Sequence, residues 1–407
     1  MRPASYASLV IAAVCGSFVP LLAQPWYMTE AAGTWKPWKM QISSSTRASA
    51  KATAVELKAF EAELVKFTSI WRRAPGVAEP KGFSVETYGH LGGTERRLPG
   101  QPPIARMPVA GGVTFAAFPI FEYERKGKRV REDTGETATM GFAVNDLDAG
   151  IIGRPGPEEW RSVEHEVIFP FTRTGERAGF PRFEEIVVMT RREAPLWTAV
   201  PVLEAWQLQE KVTRLGLEEA TSQIAKLTAA LEAEVDPAEK AKRQADYQQT
   251  AKTMPDSVAY LKQMAEVEVI RERTARADLA PTAFEPKRQK QATQDLASVQ
   301  AIIAALTPEE QTAPACYVPG TTRVEGRIKA GPANARCTAL VRPNSDFFDR
   351  TLPRSAPQLV ILWQAKRCYE DDRERVSDER KGWVAGCVAN RKLLETWDRQ
   401  AILEWLQ

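Results

Sequence analysis

The feature that most constrains this chain is a long central stretch, Leu203 to Leu306, that contains almost no glycine. It has one glycine, Gly216, and neither cysteine nor histidine, whereas it carries 14 basic and 16 acidic residues. Glycine is a poor helix former, and long charged side chains lose little freedom in a helix. We therefore expect residues 202–306 to form a helical domain.

Apolar residues in this stretch recur every three or four positions, which is the period of an amphipathic helix. The longest series, with a phase slip after Leu215, is Leu208, Val212, Leu215, Leu217, Ala220, Ile224, Leu227 and Leu231. Pro237 and Asp256 mark further helix starts, and Thr293 to Leu306 completes the region. The pattern predicts a helical hairpin, a coiled coil or a small bundle with a long first helix.

Upstream, residues 53–201 predict an α+β domain. Thr53 to Trp71 has one apolar stripe and ends before Pro75, as expected of an amphipathic helix. Short β-rich runs separated by turn residues follow it: Phe83 to Tyr88, Val113 to Tyr123, Thr137 to Asn145, Glu166 to Phe171 and Glu185 to Thr190. One helix followed by consecutive strands favours an antiparallel sheet packed on that helix, and a cystatin-like arrangement is our analogy for it.

The N-terminus resembles an export signal in its general pattern. Arg2 precedes an apolar run from Leu9 to Leu22, which is too short to span a bilayer comfortably. We expect residues 1–23 to be a signal peptide that is cleaved after Ala23. An uncleaved membrane anchor and lipidation of Cys15 are the alternatives. Residues 24–52, which include three tryptophans, are predicted to form an extended arm that lies on the following domain.

The remaining four cysteines all lie in the last quarter of the chain, in residues 307–407. An exported protein meets an oxidising environment, so we expect disulfides. Of three connectivities, Cys316 with Cys337 and Cys368 with Cys387 is the simplest. In the same part we predict strands at Thr321 to Lys329 and Pro357 to Trp363, followed by a closing helix from Val388 to Leu406. This part is predicted to pack on the first domain, because a lone late strand needs a sheet to join.

Composition excludes several classes of function. Lys plus Arg number 55 against 52 Asp plus Glu, so the chain has no bulk positive field for nucleic acid. Two histidines, His90 and His165, and the lack of closely spaced cysteine pairs argue against a metal site. Phosphate-binding glycine loops and nucleophile motifs are missing from the sequence, so we expect no cofactor.

The catalytic candidates are Glu164 and Glu166. If they begin a strand, their carboxylates lie about 6–7 Å apart on one face, within the range of paired-acid glycosidases. The competing interpretation is a pair of solvated acids at a strand edge. Strand alternation also separates Ser162 from His165, which argues against a catalytic triad.

Two further charged motifs predict turns. The segment Asn145 to Gly150 places Leu147 and Ala149 where a calcium loop needs oxygen ligands, so a turn with side-chain-to-backbone bonds fits it better. The basic cluster from Arg125 to Arg131 is closely flanked by acids, which predicts a solvated hairpin tip rather than an anion site.

These observations support three hypotheses of function. The leading one is an exported, non-catalytic binding or scaffolding protein of the cell envelope, which meets another envelope protein through its helical region. The second is an exported hydrolase of glycans or peptides that uses Glu164 and Glu166. The third is a membrane-tethered helical assembly factor, which requires that the N-terminal apolar run is retained.

Overall fold

A computed structural model describes residues 26–41, 52–92, 106–133, 138–164, 166–235, 237–253, 262–263, 274, 276–364 and 381–407. The helices are α1 (Ala54–Arg72), α2 (Pro75–Ala78), α3 (Ala149–Ile152), α4 (Val202–Val235), α5 (Pro237–Thr253), α6 (Phe284–Ala305), α7 (Pro308–Thr312), α8 (Lys381–Thr396) and α9 (Arg399–Trp405). The strands are β1 (Trp26–Tyr27), β2 (Lys39–Gln41), β3 (Phe83–Leu91), β4 (Gly111–Pro119), β5 (Phe121–Arg125), β6 (Lys128–Glu132), β7 (Ala138–Val144), β8 (Gly153–Pro155), β9 (Ile168–Pro170), β10 (Arg173–Arg177), β11 (Phe180–Phe183), β12 (Ile186–Thr190), β13 (Trp197–Ala199), β14 (Ala315–Tyr317), β15 (Ile328–Ala330), β16 (Thr338–Ala339), β17 (Val341–Pro343) and β18 (Leu359–Gln364). The fold is α+β, as the sequence predicts.

The largest sheet has eight strands in the order β10-β11-β12-β18-β7-β4-β3-β2, and only the β2–β3 pair is parallel. Strand β18 comes from the C-terminal part of the chain, yet it lies between β12 and β7. Its apolar run serves both faces of the sheet, because Val360 and Leu362 join one core cluster whereas Leu359 and Ile361 join another. The two ends of the chain therefore share one sheet.

Helix α1 covers one face of this sheet. Thr53 and Glu56 form a capping box that starts the helix, and the stripe predicted from the sequence supplies its buried face. Within that stripe, Phe67 stacks on Trp405 of α9 at a ring distance of 4.5 Å. Trp35 of the N-terminal arm also packs against this core, and β1 of the arm pairs with β5.

The middle of the chain forms an antiparallel pair of helices, α4 and α6. Arg288 of α6 pairs with Glu219 of α4, and further along Gln300 of α6 pairs with Glu210 of α4. Residue numbers therefore rise along α6 as they fall along α4, which shows that the two helices are antiparallel. A third core cluster anchors the base of this pair, where Trp206 and Val299 lie among residues of β14, β15 and the turn at Trp160. Beyond Ala220, none of the α4 side chains described is fully buried.

Four predicted element boundaries are wrong. The run Val113 to Tyr123 divides into β4 and β5, because Pro119 has no N–H to donate to a ladder. The last central helix begins at Phe284 instead of Thr293. Residues 321–329 form a short helical turn before β15, since Val324 and Ile328 are buried four positions apart rather than in alternation. The closing helix is two helices, with Asp398 capping the second.

The predicted disulfide between Cys316 and Cys337 is present, with the two Cα atoms 5.5 Å apart. Both cysteines are buried, and Cys316 lies on the central strand β14 of a three-stranded sheet with β15 and β16. Cys387 of α8 is also disulfide-bonded. Its predicted partner, Cys368, lies outside the described residues, as do the predicted signal peptide, residues 1–23, and Cys15.

Candidate functional site

Glu164 and Glu166 do not lie on a strand. The backbone N–H of Glu164 donates to the Trp160 carbonyl at 2.8 Å, which continues the helical turn of residues 158–160. The N–H of Glu166 then donates to the Glu164 carboxylate at 2.8 Å, and β9 begins only at Ile168. The residues are 6% and 9% exposed, so the interpretation as solvated strand-edge acids is wrong.

Burial of Glu164 is balanced by an arginine. One carboxylate oxygen of Glu164 lies 3.1 Å from a guanidinium nitrogen of Arg342 on β17, and Arg342 also pairs with Glu204 at the start of α4. A buried charge requires such a partner and saturating hydrogen bonds. The network joins the turn before β9, strand β17 and helix α4, so Glu164 has a structural role in holding these elements together. His165 lies outside the described residues.

The two charged motifs form turns, as predicted. In the segment 145–150, Asp146 accepts from the Asp148 N–H and Asp148 accepts from the Gly150 N–H. The basic cluster forms the β5–β6 hairpin, whose turn residues Lys126 and Gly127 both have positive φ. Arg129 in this hairpin pairs with Glu122 across the strands.

A concave surface with a mixed polar and apolar lining lies along the helix pair. We name it the hairpin groove: a cavity of about 720 Å³ between α4 and α6. Its lining residues are Glu159, Gln209, Val212, Thr213, Gly216, Phe284, Lys287, Arg288, Lys290, Gln291, Ala292, Gln294, Asp295 and Arg327. A β-carbon on Gly216 would meet nothing within 4 Å, so at this point the surface of α4 is open.

The floor of the hairpin groove is a fixed chain of uncharged polar groups. Trp160 donates from its indole nitrogen to Gln209 at 3.0 Å, and Gln209 donates through its amide nitrogen to the Thr213 hydroxyl at 3.2 Å. Thr213 in turn donates to the backbone carbonyl of Gln209. Because Gln209 and Thr213 are buried and bonded to each other, the floor has a defined shape before any ligand arrives.

One wall of the hairpin groove is an acid held between a phenol and a guanidinium. Tyr317 donates to Glu159 at 2.9 Å, and Arg327 approaches the same carboxylate oxygen at 3.4 Å. Burial of the phenol and, after it, the hydrogen bond to Glu159 raise the pKa of Tyr317 to about 12. The wall is therefore rigid and close to neutral, because the carboxylate and guanidinium charges offset each other.

The rim of the hairpin groove is apolar and positive. Phe284, at the first turn of α6, lines the groove and is 74% exposed. Lys287 and Lys290 are exposed and form no ion pair with any described residue, whereas Arg288 pairs with Glu219 and Glu285. Four cations and two carboxylates line the groove in all.

A second cavity, of about 1040 Å³, adjoins the hairpin groove along α6. The two share Gln291, Gln294 and Asp295, and the second is also lined by residues of the segment from Gly320 to Gly326. The concave surface therefore continues along α6. Sequence analysis missed the residues of the hairpin groove, because α6 begins at Phe284 and its first turns lack an apolar repeat. The available signal was an isolated phenylalanine close to lysines.

Comparisons with known proteins give no relationship: no protein-family profile, curated protein or solved structure matches this chain significantly. Among the described residues, no helix is both long and apolar enough to cross a membrane. The same residues contain no group of three or more His, Cys, Asp or Glu side chains arranged to hold a metal ion.

Proposed function

We propose that this protein is an exported, non-catalytic binding protein of the cell envelope, and that the hairpin groove receives an acidic segment of a partner protein. The observation that carries the proposal is Phe284, a large aromatic side chain left 74% exposed at the rim of a shaped groove. Exposed apolar surface beside a concave site is typical of interaction surfaces, where aromatic anchors supply much of the binding energy.

Charge selects the kind of partner. Lys287 and Lys290 follow Phe284 on α6, three and six positions toward the C-terminus, and have no ion-pair partners among the described residues, so their charges are available to an incoming carboxylate. Rim charges of this kind steer association and set orientation. A partner segment with acidic side chains on one side of an apolar residue matches this arrangement.

The alternative of a hydrolase that uses Glu164 and Glu166 receives less support. A catalytic acid pair needs room for a sugar or peptide between the two carboxylates. Here Glu164 accepts from the backbone of Glu166 and pairs with Arg342, so the space beside it is filled by the protein itself.

The second part of the proposal is that the protein is exported. A disulfide between Cys316 and Cys337 and the lack of a membrane-spanning helix among the described residues are compatible with an extracellular location. The proposed signal peptide, residues 1–23, supplies the route, and its retention instead would support the membrane-tethered alternative.

Charge reversal tests the binding site. We expect Lys287→Glu combined with Lys290→Glu to reduce recovery of a specific envelope partner at least about tenfold, because two attractive pairs become repulsive. Lys211→Glu combined with Lys226→Glu makes the same change in net charge on exposed positions of α4, and recovery should stay within about twofold of the wild type. Equal losses in both pairs of variants would contradict the proposal.

A further inference from the structure

The N-terminal arm lies in a site of its own on the rest of the molecule. Residues 26–41 run along the edge of the large sheet, where β2 pairs with β3 in parallel and Trp35 forms a bridge to Val85. We name the surface beneath these residues the arm groove. It is formed by residues of α2, β3, β4 and the turn before β3, which are Val77, Pro80, Gly82, Phe83, Ser84, Val85, Gly89 and Phe115.

Main-chain hydrogen bonds hold the arm in the groove ahead of β2. The Gly33 N–H donates to the Pro80 carbonyl at 2.8 Å. Further along, the Lys36 N–H donates to the Val85 carbonyl at 2.7 Å, and the Val85 N–H donates to the Thr34 carbonyl at 2.8 Å. Together with the β2–β3 pairs, these are the bonds of a strand added to a sheet edge, where the main chain supplies affinity and side-chain pockets supply specificity.

Trp35 is the main side-chain anchor of the arm. Its indole N–H donates to the Val77 carbonyl at 2.9 Å, and its ring meets the Phe115 ring edge to face at a centre distance of 6.0 Å. The Arg72 guanidinium lies 5.3 Å from the centre of the Trp35 ring. A tryptophan whose ring and polar atom both have partners is typical of the residues that dominate peptide recognition.

Glycines make the fit between the arm and the groove close. A β-carbon on Gly33 of the arm would overlap the Phe83 carbonyl oxygen, so the arm approaches β3 this closely only with glycine here. In the groove, a β-carbon on Gly89 would lie 2.6 Å from the Trp38 ring and from the Met40 sulfur. The arm and the groove are therefore complementary at two separate points.

The linker from the arm to α1 consists of residues 42–51, and both of its ends lie at the same end of the β3–β4 pair. Strand β2 ends beside the last residues of β3. Glu56 in the first turn of α1 pairs with Arg354, whose carbonyl accepts from Val109 just before β4. An extended chain of ten residues spans about 35 Å. The linker can therefore carry the arm to the groove of a neighbouring molecule as well as to its own.

We propose that the arm groove also receives the arm of a second copy of this chain, so that two molecules exchange arms and form a symmetric dimer. The exchanged arm makes the same contacts as an arm in its own molecule, so the exchange needs no new interface. Docking through a short linker corresponds to an effective concentration on the order of 1 mM, so exchanged dimers become common near this protein concentration. The site is separate from the hairpin groove, and the inference does not depend on the proposed partner.

Mixed isotope labelling measures the exchange directly. Equal amounts of the full chain with natural and with heavy nitrogen are unfolded together in urea without reductant, then refolded at about 1 mM or about 1 μM, above and below the expected transition. A carbodiimide then couples Lys39 of the arm to Glu86 of β3, whose charged atoms lie 2.8 Å apart. We expect the fraction of these cross-links that carry one label on each side to be at least about tenfold higher at the higher concentration.

Two further ion pairs make this result interpretable. Lys36 of the arm and Asp133, 3.1 Å apart, are a second reporter of where the arm docks. Lys66 and Glu63 both belong to α1 and are the matched control, so their cross-link should carry a single label at both concentrations. Mixed labels at both concentrations would also support exchange and would indicate a tighter dimer. Single-label cross-links alone, for both arm reporters and at both concentrations, would overturn the proposal.

Synthetic arm peptides test the specificity of the groove without altering the full chain. A peptide of residues 26–41, present at about 1 mM while the full chain refolds at low concentration, should remain bound in native mass spectrometry. Peptides with Gly33→Ala or Trp35→Ala should each be retained at least about tenfold less, since one overlaps Phe83 and the other lacks the anchor. A Lys39→Ala peptide loses only an exposed ion pair and should stay within about threefold. Retention of none of the peptides, or equal retention of all four, would contradict the inference.

Discussion

Arg342 is the side chain on which three separate elements depend. Its guanidinium pairs with Glu164 and with Glu204, and the Glu164 side chain is only 5% exposed. A carboxylate at that depth is tolerated because the arginine lies beside it, and it becomes an uncompensated buried charge if the arginine is lost. Loss of Arg342 is therefore expected to destabilise the protein mainly because it leaves the Glu164 carboxylate buried without a counterion.

We predict that Arg342→Met lowers the free energy of unfolding by about 3 kcal/mol, which is the scale of breaking one partner of a buried ion pair. Urea unfolding is the measurement. Adding Glu164→Gln to the variant should recover part of the loss, because the stranded charge is then gone. Arg336→Met, an exposed arginine in the same part of the chain, should change the free energy by less than about 0.5 kcal/mol. A loss equal to that of the control would contradict this role.

Tyr317 gives a prediction of pH dependence. Its pKa is raised to about 12, so between pH 10 and 12 the folded protein keeps a proton that the unfolded chain releases. The stability from this proton is fully present below pH 10 and is lost as the pH rises toward 12. Urea unfolding across this range should show a steeper fall for the wild type than for Tyr317→Phe, and identical slopes would be inconsistent with the raised pKa.

The sequence identified Glu164 and Glu166 but misjudged their surroundings. Their spacing of two along the chain is visible in any sequence, whereas the partner Arg342 is 178 positions from Glu164. No local pattern reports which distant residue fills the space beside a carboxylate.

Among the elements, the small sheet of β14, β15 and β16 depends on a covalent link. The disulfide joins Cys316 on the central strand to Cys337, which lies directly before β16, and both sulfurs are buried. A sheet with strands of two or three residues has few ladder hydrogen bonds of its own. The link also closes a loop that spans 21 positions of sequence.

We predict that Cys316→Ala combined with Cys337→Ala destabilises the protein by about 3 kcal/mol, the value that chain entropy gives for a loop of this size. Limited proteolysis should show new cleavage within residues 307–343, whereas α1 and the strands of the large sheet stay protected. Cleavage that is unchanged within residues 307–343 would contradict a stabilising role for this disulfide.

Elements with a regular apolar period were predictable, and elements that depend on packing were not. Helix α1 has its stripe and its capping box in the sequence, so its bounds follow closely from Thr53 and Pro75. Helix α6 was predicted nine residues too short, from Thr293 instead of Phe284, because its first turns are polar and stand at the groove rim. Helix α9 is separate from α8 because Asp398 caps its N-terminus. The sequence does not show this break, because the apolar stripe continues across it.

At the scale of the whole molecule, the chain closes on itself through β18. This strand pairs with β12 on one side and β7 on the other, so the C-terminal part completes the sheet begun near the N-terminus. Helices α8 and α9 follow it and join the core under that sheet. The helix pair α4–α6 is inserted between these two parts of the sequence, and its base packs in a core cluster of its own.

If the protein is exported as proposed, the mass of the mature chain should show that the signal peptide has been removed. We expect a chain that begins at Gln24 and whose four remaining cysteines are alkylated only after reduction, because two disulfides persist in an oxidising compartment. Intact mass spectrometry with and without reduction measures both quantities. A full-length mass with free thiols would contradict export, and a full-length mass with protected thiols would favour the membrane-tethered alternative.

The central claim is that the hairpin groove binds a partner, and site-specific photocrosslinking at Phe284 tests it most directly. A photoreactive phenylalanine analogue is placed at position 284 in the producing cells, and the same analogue replaces Val55 of α1, which is similarly exposed, as the control. We predict one dominant adduct from position 284, joined to an acidic segment of a single envelope protein, and none from position 55. Adducts that are equally sparse or equally diverse at the two positions would contradict the claim.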